Sequence, residues 1–120
     1  MQKINIEEKF AKFAEIWSPK IIEELNDQYI KLAKAKNEFV WHNHAKEDEL
    51  FIVFKGTLWI DFLDHTAKIG PGEMIVVPKG VEHRPYTKGE EVWVMLIEPK
   101  STMHTGSIKH DLTDNHQVWI

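Results

Sequence analysis

The chain has 120 residues and a formal net charge of −4, a size that fits one domain over residues 1–120. An acidic balance with Arg84 as the only arginine argues against a nucleic-acid partner, because such partners usually require a basic surface. The absence of cysteine excludes disulfides and thiolate ligands. No apolar run is long enough to cross a bilayer, and the N-terminus has no apolar signal-peptide core, so we expect a cytoplasmic protein without a membrane partner.

The first predicted element is an amphipathic helix over about residues 5–17. Asn5 is suited to cap it, with Glu8 at the third helical position. Apolar residues then recur with helical spacing at Ile6, Phe10, Phe13, Ala14 and Trp17. Ser18-Pro19 ends the pattern, since proline disfavours the helical conformation in the residue before it. We expect this helix to pack on the surface of the domain.

From residue 20 onward, short apolar segments alternate with turn residues, which is typical of an all-β sandwich or barrel. The predicted barrel covers about residues 20–100, and the tail at 101–120 is assigned no structure. The candidate strands are 20–25, 29–35, 39–44, 49–54, 58–62, 66–69, 73–77, 83–87 and 92–98.

Two short stretches together offer the ligands of one metal site. The first runs His42-x-His44-x4-Glu49, and the second places His83 after two turn-forming residues. Three imidazoles and one carboxylate form the mixed nitrogen and oxygen set that divalent first-row metals favour. His42 and His44 are two residues apart, so in a strand their side chains leave the same face. We therefore predict one divalent ion, of Fe, Mn, Ni or Zn, bound by His42, His44, Glu49 and His83.

The same stretches resemble the two motifs of the cupin superfamily, G-x5-H-x-H-x3,4-E-x6-G and G-x5-P-x-G-x2-H-x3-N. The four ligand positions match, as do the motif residues Gly56, Gly72, Pro78 and Gly80. Two positions that are not ligands differ from the motifs. Lys36 replaces the opening glycine of the first motif, and Thr87 replaces the closing asparagine of the second. The motifs span residues 36–87.

This resemblance implies an all-β fold, a double-stranded β-helix or cupin jelly-roll barrel, with one N-terminal α-helix. In particular, the chain is similar to short single-domain cupins described as mannose-6-phosphate-isomerase-like. Such proteins are commonly homodimers that share N-terminal strands, and segment 20–25 would suit that role.

Strand parity assigns side chains to the inside or the outside of the barrel. If Glu49 points inward, Phe51 and Val53 do so too, and the apolar residues between them lie on the outer face. A strand that is apolar on both faces is usually covered on both, so the N-terminal segment 1–25 or a second subunit must cover the outside. We expect a homodimer. Beside the metal we expect an apolar pocket lined by Phe39, Phe51, Val53 and Met74 or Val76.

The remaining candidate residues are interpreted as structural. Parity places Arg84 on the outside of the barrel, because it follows the inward-facing His83. Four further histidines lie outside both motifs and are interpreted as non-ligands: His65, His104, His110 and His116.

The predicted function is that of a metal-dependent enzyme of the dioxygenase or isomerase type acting on a small organic molecule. Four protein ligands on an octahedral ion leave two positions for water, substrate or oxygen. No tyrosine, lysine or carboxylate in the inward-facing sets stands out as a general acid or base. The alternative is therefore a non-catalytic small-molecule-binding or regulatory cupin whose metal anchors a ligand or stabilises the fold. An adapter-like dimer with a vestigial site is a third interpretation.

Overall fold

The computed structural model describes residues 1–103, 106 and 117–120. In this described part the chain forms one helix, α1 (Ile6–Phe10), and nine strands. The strands are β1 (Lys20–Leu25), β2 (Gln28–Ala35), β3 (Glu49–Lys55), β4 (Leu58–Phe62), β5 (Thr66–Ile69), β6 (Met74–Val77), β7 (His83–Tyr86), β8 (Val92–Pro99) and β9 (Val118–Trp119).

The strands form two sheets that pack against each other. One sheet has six strands in the order β6, β3, β8, β2, β1, β9, and the other has three in the order β5, β4, β7. All described strand pairings are antiparallel except that of β9 with β1, and an isolated parallel bridge joins Ile16 to Lys34. Both sheets contribute to one buried apolar core, with Val53 and Leu96 from the large sheet and Leu58 and Ile60 from the small one. The predicted all-β jelly-roll fold is confirmed.

The N-terminal helix is shorter than predicted. It ends at Phe10, so the predicted range of 5–17 is wrong in its second half. Residues 13–17 instead run beside β2. Lys34 Nζ donates a hydrogen bond to the Phe13 carbonyl at 2.6 Å, and Trp17 N donates to the Lys34 carbonyl at 2.8 Å. Because of these tertiary hydrogen bonds, residues 13–17 are not helical despite the helical spacing of their apolar side chains. Trp17 adopts a φ of 55°.

The N-terminal segment covers part of the outer face of the large sheet. The helix begins as predicted, since Glu8 N donates to Asn5 Oδ1 at 2.9 Å. At its other end Phe10 is buried, with its ring 4.7 Å from that of Trp93 and 6.0 Å from that of Phe54. Part of the apolar outer face is therefore covered by the same chain, which is one of the two alternatives that strand parity left open.

Residues 39–44 form no continuous strand, contrary to the prediction. Their one isolated bridge to β7 joins His42 to His83. Pro85 accepts a hydrogen bond from Phe39 N at 2.9 Å, but its own nitrogen has no hydrogen to return. The ladder is interrupted at that point, and the two histidines are placed by a local bridge.

The C-terminal end of the chain adds a strand that sequence analysis did not predict. Val118 lies opposite Lys20, and Trp119 lies opposite Ile21, so β9 extends the large sheet beyond β1. The bounds of β1 to β8 agree with the predicted ones to within one residue. In residues 1–103, 106 and 117–120, no helix is long and apolar enough to span a membrane.

Candidate metal centre

Each of the two motif segments contributes one histidine, and the backbones of these two histidines are paired with each other. His42 N donates to the His83 carbonyl at 3.0 Å, and His83 N donates to the His42 carbonyl at 2.9 Å. Residues that exchange both hydrogen bonds in an antiparallel pair carry their side chains on the same face. Both imidazoles point into the barrel, where they are buried.

The turn after β6 supports the backbone of His44. Gly80 adopts a φ of 79°, in the left-handed region that glycine enters without steric cost. Its N–H donates to the His44 carbonyl at 2.8 Å. A loop then leads from His44 to Glu49, the first residue of β3. The second motif thus helps to position a histidine of the first.

The four predicted ligands come together in one cluster. Glu49 Oε1 lies 3.5 Å from His44 Nε2 and 3.6 Å from His83 Nε2. With metal–ligand bonds of about 2.1 Å, neighbouring ligand atoms on one ion lie roughly 3.0–3.4 Å apart. The observed spacing is close to that range. One ligand atom from each residue lies within 4.8 Å of the others, in the set His42, His44, Glu49 and His83.

Several atoms of this cluster have no hydrogen-bond partner in the described part of the chain. They are both ring nitrogens of His44, Nε2 of His83 and Oε1 of Glu49, and all are buried. A buried polar atom without a partner costs about 1–3 kcal/mol. A divalent ion among them would give Nε2 and Oε1 the partner that they lack. The residues present therefore fit a divalent ion.

Backbone carbonyls select the ring tautomer of two of the histidines. The Val40 carbonyl oxygen lies 2.9 Å from His42 Nδ1, and the Val81 carbonyl oxygen lies 2.9 Å from His83 Nδ1. Because a carbonyl accepts, Nδ1 of each neutral ring carries the proton and donates. Nε2 of each ring is left with its lone pair. Hydrogen bonds of this kind orient histidines that bind metals and fix their tautomer.

Electrostatics hold the ligands in the protonation states that bind metals. Burial, together with the neighbouring His83, lowers the pKa of His42 to about 4. Burial by itself would raise the pKa of Glu49, but the neighbouring side chains of Glu98, His44 and His83 hold that pKa well below its usual range. Neutral imidazole and ionised carboxylate are the forms that coordinate metal ions.

Two buried charged residues beside Glu49 were missed by sequence analysis. Glu98 is a neighbour of Glu49, and Lys31 Nζ donates to Glu98 Oε1 at 2.9 Å. Burial and the neighbouring Glu49 raise the pKa of Glu98 well above its usual range, against the effect of Lys31.

The alternation of inward-facing and outward-facing residues along β8 and β2 indicates that these two residues face inward. In β8, Val94 and Leu96 face the core, so Glu98 faces inward as well. Lys31 lies opposite Leu96 in β2 and shares that face. The expectation that no lysine or carboxylate stands out among the inward-facing residues is thereby corrected.

An apolar cavity of about 50 Å³ borders the cluster. His42 and Glu49 form its polar end, and the predicted residues Phe39 and Phe51 line its wall. The N-terminal segment also contributes to the wall through Trp17, whose ring centroid lies 4.8 Å from that of Phe39. Apart from His42 and Glu49, the described lining residues are apolar.

The other predicted lining residues lie elsewhere. Val53 is buried in the core between the sheets. Met74 and Val76 are 59% and 47% exposed, so their predicted role in the pocket is wrong. The cause is the register of β6 with β3, in which Val77 lies opposite the inward-facing Glu49. Directly opposed residues share a face, and Met74 and Val76 consequently lie on the outer face of the sheet.

The residues interpreted as structural lie away from the cluster where the structure describes them. His65 is exposed and its Nδ1 lies 2.7 Å from Asp64 Oδ1. Arg84 points outward and donates to Asp61 Oδ2 at 2.8 Å. His104, His110 and His116 lie outside the described residues.

Fold and cluster together define a class of protein: a two-sheet β-barrel with three histidines and one glutamate converging inside it. Residues 28–98 match the family model described as Cupin domain. The chain belongs to this cupin family. The finer resemblance to mannose-6-phosphate-isomerase-like cupins stays a prediction.

Solved structures of similar proteins share the fold. A cupin-2 domain containing protein from Shewanella frigidimarina is 52% identical, over 81% of this chain and 94% of that chain, with a TM-score of 0.79. Protein NMB1881 from Neisseria meningitidis is 33% identical, over 82% of this chain and 100% of that one, with a TM-score of 0.75. Among curated proteins, the uncharacterized protein YdbB of Bacillus subtilis is 41% identical over 81 residues. That match covers 67% of this chain and 66% of YdbB.

Proposed function

We propose that the protein is a metal-dependent enzyme of the dioxygenase or isomerase type that acts on a small organic molecule. The observation that carries the proposal is the convergence of four buried ligand atoms at the polar end of an apolar cavity. A histidine cluster with a purely structural role would be expected to pair its ring nitrogens. The ligands of the proposed ion are His42, His44, Glu49 and His83.

The bound divalent ion, of Fe, Mn, Ni or Zn, would supply Lewis acidity and open positions for a substrate or for oxygen. The residues of the chain orient and shield that centre. The Nδ1–H bonds of His42 and His83 to backbone carbonyls hold the two rings in place. Apolar walls such as Phe51 exclude water, which strengthens the electrostatic interactions inside the site.

The size of the cavity supports a small substrate. A volume of about 50 Å³ has room for about four waters, since one water needs roughly 10–15 Å³. An engineered apolar cavity that holds benzene has about 150 Å³. The proposed substrate therefore has only a few carbon atoms and offers oxygen or sulfur donors to the ion. A short dicarbonyl compound or a small thiol fits these limits better than a catechol.

A non-catalytic binding role is the second candidate. Its support is the composition of the cavity, in which His42 and Glu49 are the polar members among the described lining residues. Both of these are proposed ligands, which leaves the cavity wall without a separate general acid or base. In this case the metal anchors a small ligand and no turnover follows.

The first test is the metal content of protein purified without chelators. We expect close to one equivalent of a divalent metal in the wild-type protein and a sharp loss in His44→Ala. His65→Ala is the matched control, because His65 is an exposed histidine outside the cluster. Equal metal content in wild type and His44→Ala would overturn the ligand assignment.

The second test separates an enzyme from a binding protein. The protein is reconstituted anaerobically with Fe(II) and given air with each of a panel of short dicarbonyls, thiols and catechols. Oxygen consumption or product formation with a short substrate supports the enzyme. Measurable binding without turnover under Fe, Mn, Ni and Zn favours the non-catalytic role.

The proposal extends to a second copy of the chain as a partner. Three partly exposed apolar side chains share the outer face of β3 and β6, and β6 is an edge strand of the large sheet. They are Phe54, Met74 and Val76. Exposed apolar edge strands favour pairing with another chain, so a homodimer is proposed. No nucleic-acid or membrane partner and a cytoplasmic location remain expectations of the sequence.

A further inference from the structure

Two side-chain hydrogen bonds connect the two motif segments at the metal centre. Asn43 Nδ2 donates to Glu82 Oε2 at 2.7 Å, and Lys79 N donates to Asp48 Oδ1 at 2.8 Å. From this arrangement we propose that Asn43 and Asp48 are positioning residues of the metal centre, which hold the backbone of the ligands beside them. The inference rests on the metal site of the proposed function.

Both residues are next in sequence to proposed ligands. Asn43 lies between His42 and His44, and Asp48 precedes Glu49. The short loop between Asn43 and Asp48 belongs to no helix or strand, and most of its residues are exposed. Side chains on a loop are placed less precisely than those on a regular strand. Anchors at both ends of this loop therefore restrict where the ligands can lie.

The pairing of the two histidines brings Asn43 opposite Glu82. His42 and His83 exchange both backbone hydrogen bonds. In antiparallel pairing the next residues along, Asn43 and Glu82, then oppose each other, and their side chains leave the other face. Both side chains are half-buried, which strengthens a hydrogen bond between them. This bond ties the two backbones together directly behind the ligands.

His44 depends most on the position of its backbone. Carbonyls hold the rings of His42 and His83 at Nδ1, whereas neither ring nitrogen of His44 has a partner in the described part of the chain. Its carbonyl accepts from Gly80 N at 2.8 Å, which fixes the backbone on one side. The bonded side chain of Asn43 fixes it on the other.

Asp48 has the corresponding relation to Glu49. Its side chain is exposed, and a hydrogen bond in that position contributes only about 1 kcal/mol or less to stability. Its accepted N–H belongs to Lys79, in the turn between β6 and β7. A ligand that is held before the ion arrives does not lose conformational freedom on binding, which raises affinity. A positioning role gives this exposed bond an effect larger than its contribution to stability.

Paired substitutions test each hydrogen bond at equal charge. Glu82→Ala and Asp48→Ala each remove one bond, while Glu82→Gln and Asp48→Asn remove the same charge and retain an oxygen acceptor. Glu73→Ala and Glu73→Gln are the matched control pair. Glu73 is also an exposed carboxylate in a turn, where it accepts from Gly70 N at 2.7 Å, and it lies outside the cluster.

The readouts are the dissociation constants of Zn(II) and Co(II) and the visible absorption spectrum of the Co(II) form. We expect Glu82→Ala and Asp48→Ala to bind about tenfold more weakly than their amide counterparts, with a changed spectrum. The amide and control variants should stay within about threefold of wild type, below the range typical of lost outer-layer partners.

A double-variant cycle assigns the effect to the bond between Asn43 and Glu82. Asn43→Ala should weaken metal binding as much as Glu82→Ala, and the two together no more than either alone, because they lose the same interaction. Thermal unfolding of the metal-free proteins shows which variants are folded. Since Asn43→Ala and Glu82→Ala remove the same bond, the test stands if one of them is not.

The outcomes separate this inference from the proposed function. Equal affinities of an alanine variant and its amide counterpart would overturn the positioning role of that hydrogen bond while wild-type metal binding stands. Equal weakening by Glu73→Ala would also overturn it, because the loss of any turn hydrogen bond would then have the same effect. Absence of metal binding by the wild-type protein would overturn the proposed function and the inference with it.

Discussion

Replacing His42 by glutamine is expected to reduce the loss of stability that the metal-free protein undergoes in acid. In the unfolded chain histidine binds a proton with a pKa of 6.5, and in the folded chain burial lowers the pKa of His42 to about 4. Between these values the unfolded state binds more protons, so acidification favours unfolding. The part of the stability that depends on a neutral His42 is fully present above pH 6.5 and is lost as the pH falls through 4.

The size of the effect follows from the two pKa values. Integrating the difference in bound protons gives a loss of about 2 kcal/mol at pH 5 and about 3 kcal/mol at pH 4. The neutral amide of His42→Gln does not titrate, so this contribution is absent from the variant. The variant can be more or less stable than wild type at neutral pH without affecting the comparison.

Urea unfolding of chelator-treated protein, followed by tryptophan fluorescence, measures the free energy of unfolding at pH 7.5 and pH 5. Between these conditions, wild type should lose about 2 kcal/mol more than His42→Gln. His65→Gln is the control, because that side chain is 61% exposed and outside the cluster. Equal losses in wild type and His42→Gln would refute the claim that burial keeps His42 neutral.

The remaining predictions concern the N-terminal segment and the outer face. Phe10→Ala should lower the free energy of unfolding by about 3–5 kcal/mol, measured in urea, because Phe10 is 1% exposed; a loss below about 1 kcal/mol would contradict its role as cover. Trp17→Ala should let the cavity bind aromatic ligands that wild type rejects; an unchanged ligand range in calorimetry would argue against Trp17 as a wall. Light scattering should report a mass of twice 14.1 kDa for the wild-type protein and of 14.1 kDa for the double variant Met74→Lys with Val76→Lys; a monomeric wild type would exclude the dimer.

The strands and the candidate ligands could be predicted because their signals are local. Turn residues separate the apolar segments, and predicted bounds for β1 to β8 agree with the structure to within one residue. The ligand positions depend on spacing within two short motifs, and the structure gathers all four. Neither prediction required knowledge of which strand lies beside which.

Features that depend on contacts between distant segments could not be predicted in the same way. The helix ends early because Lys34 and Trp17 form hydrogen bonds that no local pattern indicates. In β6 every residue from Met74 to Val77 is apolar, so alternation does not distinguish its two faces. A shift of one residue in register exchanges those faces. Only the pairing with β3 decides that Val77 faces inward.

Glu98 shows what can be learned when parity and register are combined. The alternation in β8 places Glu98 on the inner face, although a charged residue at a strand end is ordinarily interpreted as exposed. The register with β3 then puts it opposite Glu49 rather than in the wall of the cavity. A ligand in the cavity would contact Phe39, Phe51 and the proposed metal ligands, whereas Glu98 does not line the cavity. Among the residues that the structure describes, Glu98 is therefore not placed for direct proton transfer with a ligand in the cavity.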